Sequence, residues 1–313
     1  MSDIFAEVTP FAGDPPYATV LDYFSLRVDA VRWEHLSGST LCLRRNAPLA
    51  ICGSKIPIST GGSRGFEPAA NVKVGVRGKG PGSEKAWQQG TIVAKVLNFG
   101  HRGAAEVPEN TIPSFRKALE QGADGLELDV RKTADGKLVV IHPSVVEHHS
   151  VQSSSYEDIR KLPDGFEIPL LKDVLAKFGK KTFLDVEFKV PGFEEEAIAL
   201  ITKHGDPSNT MISAFDTDTL NKVHDLSPAL QLGYIYNRTQ DEESRHNAPI
   251  DYVIPQFRLA SRELISEVHD EELKVMAWTV NDEAEMKRLL TLGVDGIITD
   301  YPAVLANVLN SKA

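Results

Sequence analysis

Cysteine is scarce: only Cys42 and Cys52 occur in 313 residues. Two thiols make no disulfide framework, and a reducing cytoplasm is the expected setting. Long apolar runs are also missing, since nothing approaches the ~20 residues that a membrane span needs. The opening Met-Ser-Asp-Ile-Phe-Ala-Glu lacks the basic start and apolar centre of a secretory signal. Positive charge is in deficit, with 34 Lys+Arg against 44 Asp+Glu and a net charge of −10. The deficit is uneven: residues 1–92 carry 10 basic and 8 acidic side chains, and residues 93–313 carry 24 and 36. An acidic body argues against a nucleic-acid partner, whose phosphates need a basic surface. It suits a protein that concentrates a metal cation, with a few local basic groups to receive an anionic substrate.

What is present is ordinary for a globular protein, with 42% hydrophobic and 25% charged residues. Residues 1–92 differ from the rest. Positions 17–36 have the helical spacing of Val20, Leu21, Phe24, Val28 and Val31, which predicts an amphipathic helix. The stretch from Gly61 to Gly82 is rich in glycine and short of large apolar residues, as linkers are. The extension reads as a largely disordered leader, a small separate module, or an addition outside the working protein, and it carries no motif.

From Val93 a regular alternation begins. Strand-like runs at 93–99, 126–130, 138–141, 182–190, 210–215, 230–236, 252–255, 274–280 and 296–299 alternate for the most part with helical patterns, while the Asp135-Gly136 turn joins 126–130 to 138–141. Thr111 is a plausible N-cap, Pro113 suits a first helical turn, and Gly122 suits a stop. Residues 143–167 are polar and irregular and read as a long active-site loop. About eight strands alternating with helices over residues 93–313 predict a (β/α)8 TIM-type barrel. An open doubly wound sheet is the competing architecture. It would want a glycine-rich phosphate loop after the first strand, and Gly100-His101-Arg102-Gly103 is not one.

Charged side chains gather at the ends of these runs. His101 and Arg102 follow the first, Glu127 and Asp129 lie in the second, His142 follows Val139-Val140-Ile141, and Glu187 and Lys189 share a face of Leu-Asp-Val-Glu-Phe-Lys. A lone Glu-x-Asp is commonly a solvated strand face. Here Leu126, Leu128 and Val130 take the alternate positions and face covering helices, which turns the acidic face into the barrel. Paired interior carboxylates repel unless a cation joins them, and hard divalent metals favour oxygen ligands. Taken singly, Glu187 and Lys189 could simply pair and His101 could be a cap. Together, three carboxylates, two histidines and two cations at one mouth would suit a phosphodiester.

The chain resembles the glycerophosphodiester phosphodiesterase family from about Leu97 to the C-terminus. The resemblance rests on His101-Arg102-Gly103, Pro108-Glu109-Asn110-Thr111-x-x-x-Phe115, Glu127-x-Asp129, Asp135-Gly136-x-x-Val139-Val140-x-His142, Glu187-x-Lys189, Trp278-Thr-Val-Asn281 and Gly293-Val-Asp-Gly-Ile-Ile-Thr-Asp300. It implies a metal-dependent barrel hydrolase that splits glycerophosphodiesters into sn-glycerol 3-phosphate and an alcohol. It further implies Glu127, Asp129 and Glu187 as ligands of Mg2+ or Ca2+, and His101 and His142 as general acid and base. Arg102 and Lys189 would hold the phosphate and Trp278 would line the pocket. A lysophospholipid substrate, or a degenerate member that binds without turnover, are the alternatives. The sequence departs from the family where Pro143 stands in place of the usual Asp, and where His148-His149-Ser150 replaces an Arg-Thr-Thr. The 45-residue interval from His142 to Glu187 is also short for the family.

Overall fold

The computed structural model describes residues 95–311 throughout, and before them the strands Asp3–Val8, Val31–Leu36, Thr40–Arg45, Asn71–Arg77 and Ala86–Thr91. The chain divides into two compact units, residues 1–94 and 95–313. In the first unit the five strands form one antiparallel sheet. Asp3–Val8 lies at its centre, between Thr40–Arg45 and Asn71–Arg77. Two expectations change here. Residues 31–36, the end of the expected helix at 17–36, are strand, in keeping with the apolar–charged alternation of Val31-Arg32-Trp33-Glu34. Residues 71–77 of the glycine-rich stretch are strand as well. Residues 17–30 lie outside the described residues.

The second unit is the barrel. Its staves are β1 (Leu97–His101), β2 (Gly125–Lys132), β3 (Phe183–Phe188), β4 (Thr210–Ala214), β5 (Gln231–Tyr236), β6 (Tyr252–Pro255), β7 (Lys274–Ala277) and β8 (Gly296–Thr299). Each pairs in parallel with the next, and β8 closes the ring on β1 with Gly296 opposite Leu97. Helices α1 (Ile112–Glu120), α2 (Leu171–Phe178), α3 (Glu194–His204), α4 (Thr217–Leu226), α5 (Arg262–Asp270), α6 (Glu283–Leu292) and α7 (Pro302–Asn310) join them. A 3₁₀ stretch, Thr239–Asn247, takes the place of a helix between β5 and β6. This is a TIM-type (β/α)8 barrel, with no open sheet edge.

Period-two alternation builds two cores from each strand. Phe99, Phe183, Met211, Tyr252, Ile254, Met276 and Ile298 fill the interior, with the Phe99 and Phe183 rings edge to face at 5.5 Å. Leu126, Leu128, Val130, Leu184 and Val186 point outward and are fully buried under the helices. Each such side chain contributes roughly 1.5–3 kcal/mol by leaving water. Toward the strand C-termini the interior turns polar, and the inward positions 127, 129, 185 and 187 are carboxylates.

One apolar run is not a stave. Leu138–Val140 pairs antiparallel with the end of β2, Val130 opposite Val140. It begins an arm over residues 138–170 with its own small core of Val139, Ile141, Val146, Val151, Ile159 and Ile168. Residues 143–167, expected as an irregular loop, contain a short hairpin (Val145–Val146 with His149–Ser150), a 3₁₀ turn and a four-residue helix.

Candidate active site

The first turn after β1 fixes two of the expected residues. Gly103 has φ +101°, and a Cβ there would fall 2.0 Å from the Ser114 hydroxyl oxygen. Only glycine fits that approach. The Ser114 hydroxyl donates to the Arg102 carbonyl (3.0 Å) and accepts from the Ala104 amide (2.9 Å), which pins the turn to the start of α1. Arg102, itself at φ +53°, is thereby turned back over the barrel mouth. Its amide donates to Glu127 Oε2 at 2.9 Å, and its Nη1 donates to Glu109 at 2.9 Å. Its Nε lies 3.1 Å from Asp129 Oδ2.

The three expected metal carboxylates converge. Asp129 stands opposite Glu187 in the β2–β3 register, Glu127 precedes it by one inward position, and ligand oxygens of all three lie within 4.8 Å of one another. All three residues are buried. Glu127 Oε1 accepts no hydrogen bond, although it is shielded from solvent. A buried carboxylate oxygen without a donor is costly, and a hard cation is a partner suited to it. The site therefore fits a divalent metal. Asn110, held at φ +58°, reads Asp129 from both ends: Nδ2 donates to Oδ2 at 2.7 Å, and Oδ1 accepts from the Asp129 amide at 3.2 Å. The Lys189 ammonium lies 2.5 Å from Glu187 Oε1 and 3.3 Å from Asp129 Oδ1. The pairing of Glu187 with Lys189 is thus real, and it occurs inside the cluster rather than instead of it.

This crowding sets the proton affinities. Burial and the charges of Asp129 and Glu187 push Glu127 well above the usual carboxylate range. Burial and Asp129, opposed by Lys189, raise Glu187 to about 7. Burial opposes the ionisation of Asp129 also, yet Arg102, Lys189 and Asn110 outweigh it and hold this carboxyl below its ordinary value. One inward layer below Glu187 lies Asp185, raised to about 7 by burial, with Oδ1 accepting from Ser213 at 2.6 Å and Oδ2 unpaired.

The two histidines reach the cluster from different constructions. His101 ends β1, and its Nε2 is 3.9 Å from Glu127 Oε2. On its other side Nδ1 meets Asp300 Oδ1 at 2.7 Å. His142 follows the apolar run 138–141 as the sequence suggests, but that run is the antiparallel arm strand Leu138–Val140 and not a stave of the barrel. Its carbonyl accepts from Arg131 Nε at 2.9 Å, tying the arm to β2. Burial lowers the His142 pKa despite the attraction of Asp129. A cavity of about 290 Å³ opens beside it, walled by Pro108, Glu109, Asn110, Pro143 and Leu162. A second, of about 490 Å³, borders His101, Arg102 and Asp300. Trp278 lies at the end of β7, its Nε1 donating to the Ile254 carbonyl at 3.0 Å and its ring edge to face with Phe215 at 5.7 Å.

Asn110, Glu109, Asp300, Asn281 and Asp185 entered the sequence reading only as letters within motifs or runs. The signal that could have found the last two strand-end members is positional: Asn281 and Asp300 follow the C-termini of β7 and β8, where a barrel carries its chemistry.

Among the described residues no helix is long and apolar enough to cross a membrane. Comparison with known proteins agrees with the geometry. The model of the glycerophosphoryl diester phosphodiesterase family matches residues 101–304. A glycerophosphodiester phosphodiesterase of Caldanaerobacter subterraneus subsp. tengcongensis is 35% identical over 238 residues, covering 69% of this chain and 98% of that protein. The crystal structure of a putative glycerophosphoryl diester phosphodiesterase from Silicibacter pomeroyi superposes with TM-score 0.65 at 27% identity, over 70% of this chain and 94% of that one. An Oleispira antarctica phosphodiesterase, solved with the product sn-glycerol-3-phosphate, shares the fold at TM-score 0.61 and 24% identity, over 68% and 96% of the two chains. The chain belongs to the glycerophosphoryl diester phosphodiesterase family, divalent-metal-dependent enzymes that hydrolyse glycerophosphodiesters.

Proposed function

We propose that this enzyme releases sn-glycerol 3-phosphate and an alcohol with Glu127, Asp129 and Glu187 holding one Mg2+ or Ca2+ ion, and His101 and His142 exchanging the protons. The observation that carries the reading is the meeting of the three carboxylates, within 4.8 Å, directly beside His101 Nε2 and below the Arg102 and Lys189 cations. A bound divalent ion supplies Lewis-acid polarisation of a phosphoryl oxygen. Arg102 and Lys189 add fixed positive charge where the phosphoryl group gains negative charge. Their pairing with Glu109, Asp129 and Glu187 keeps both side chains aimed at the mouth before substrate arrives. One imidazole takes the proton of the attacking oxygen and the other returns a proton to the departing alcohol.

Burial lowers the His142 pKa and so favours the neutral ring, the form that can accept a proton. The cavity beside it, about 290 Å³, offers space for one arm of the diester, and Pro143 forms part of its wall. Phe215 and Trp278 present an apolar rim on the far side of Lys189, whose ammonium lies 5.9 Å from the Phe215 ring centre. The contact of Trp278 with Phe215 beside Lys189 supports a place for this ring near the pocket, although it lines neither of the two cavities.

The test is a coupled assay of sn-glycerol 3-phosphate release from glycerophosphocholine. Activity is expected with Mg2+ or Ca2+, to be lost on chelation and to return when either ion is restored. Turnover that survives complete chelation removes the metal assignment. Absence of turnover on a panel of glycerophosphodiesters with either ion removes the proposal.

A further inference from the structure

The chemistry proposed above leaves one set of groups at the mouth unused. The Asp300 carboxylate, just beyond β8, meets His101 Nδ1 with Oδ1 at 2.7 Å. Its Oδ2 accepts from Asn281 Nδ2 at 2.5 Å. The orientation of that amide is not free, because Asn281 Oδ1 accepts from the Asp300 amide (3.0 Å) and the Thr299 hydroxyl (3.2 Å). Reversing the amide would set its NH2 against the Asp300 N–H and its oxygen against the Asp300 carboxylate. Asn281 therefore presents a donor to Asp300. The Asp300 carbonyl also accepts from the Ala105 amide at 3.0 Å, which ties the residue to the turn that follows His101.

We propose that Asp300, aligned by Asn281, is the positioning residue of His101: it accepts the Nδ1 proton and so leaves Nε2, on the Glu127 side, as the nitrogen that exchanges protons with substrate. An ionised carboxylate only accepts hydrogen bonds, and a neutral imidazole carries its hydrogen on one nitrogen. With Asp300 on Nδ1, that nitrogen carries it. His101 Nε2, 3.9 Å from Glu127 Oε2, then keeps a lone pair toward the carboxylate cluster. A carboxylate behind an imidazole fixes both tautomer and ring orientation. His142 has no such carboxylate among its described hydrogen bonds, so the two histidines are not equivalent.

This inference rests on the function proposed above, and its test has one arm that does not. Substituting Asp300→Asn keeps the size of the side chain but offers an NH2 donor in place of an acceptor. In long-range ¹H–¹⁵N spectra of the full chain at about pH 9, above the ordinary histidine range, His101 is assigned by the signal missing in His101→Ala. The wild-type ring is expected as the Nδ1–H tautomer, and the Asp300→Asn ring as a mixture or as Nε2–H. In steady-state assays kcat is expected to fall about 10²–10⁴-fold with KM within about threefold, as for carboxylate loss behind a catalytic imidazole. In a His101→Ala background the same substitution should add less than about threefold, because the two residues act as a unit. Asn281→Ala is expected to give a smaller loss, about tenfold, in the same parameter. Unchanged Nδ1 protonation in Asp300→Asn, or kcat within twofold of wild type, overturns the proposal. So does an equal loss in both backgrounds. If the wild type releases no sn-glycerol 3-phosphate, the functional reading falls while the tautomer measurement still decides the role of Asp300.

Discussion

Glu127, Asp129 and Glu187 occupy positions where burial penalises charge and proximity multiplies the penalty, yet Asp129 stays ionised. The difference is local. Arg102 and Lys189 also act on Glu127 and Glu187, but for Asp129 they combine with the Asn110 hydrogen bond to outweigh burial, whereas Glu127 Oε1 accepts no hydrogen bond. Asn110 therefore does more than fill space, and its replacement by Ala should weaken divalent-ion affinity by about 10–100-fold, the usual cost of losing a group that orients a ligand. Calorimetric titration of the metal-free chain measures this, and unchanged affinity would remove Asn110 from the site. His142→Ala should lower kcat by about 10²–10⁴-fold, with the fold intact by circular dichroism. These carboxylates were legible before the structure because Glu127-x-Asp129 and Glu187-x-Lys189 carry a period of two between apolar neighbours. Asp300 was not, since a partner 199 residues from His101 has no spacing to betray it.

The turn between β1 and α1 shows how backbone geometry serves these side chains. Gly103, at φ +101° and against Ser114, permits the reversal that carries Arg102 over the mouth. Gly103→Ala should destabilise the chain by about 1–3 kcal/mol through strain at positive φ, read as a lower midpoint in urea. Activity should drop further than stability alone accounts for, because Arg102 and His101 shift together. Ser114→Ala should act in the same direction and more weakly. Helix α4 was readable to the residue, Thr217–Leu226, because its face repeats and Asp216 caps it through the amides of Asp218 and Thr219. The arm was misread. Val139-Val140-Ile141 is as apolar as a stave, and local periodicity does not distinguish a buried hairpin strand from a barrel strand. Its pairing with β2 is a local hairpin across the Asp135-Gly136 turn, Val130 opposite Val140, and only the closed ring of eight shows that it lies outside the barrel.

Four inward carboxylates at one end of a barrel make the whole molecule sensitive to protons and cations. Glu187 and Asp185 both titrate near 7 in the metal-free chain, above their ordinary values of 4.5 and 3.8. The folded state therefore holds protons that the unfolded chain has already lost between those values and 7. Their contribution to stability is full below about pH 4 and is lost as pH rises through 7. Urea unfolding of the metal-free chain should show lower stability at pH 8 than at pH 6, and saturating Mg2+ or Ca2+ should recover it at pH 8 by mass action. A stability that rises over that interval without metal would contradict the assignment. The barrel class itself was legible from the count and alternation of apolar runs. The sheet of the first unit was not, because residues 17–36 offer helical spacing while strand pairing decides the outcome for 31–36. Closure of β8 on β1 has one further consequence. His101 belongs to the first stave and Asp300 follows the last, so synthesis must run through nearly the entire catalytic unit before the imidazole meets its carboxylate. If His101 exchanges protons as proposed, a ribosome-bound chain still lacking its final stave would hold that imidazole without its aligning carboxylate.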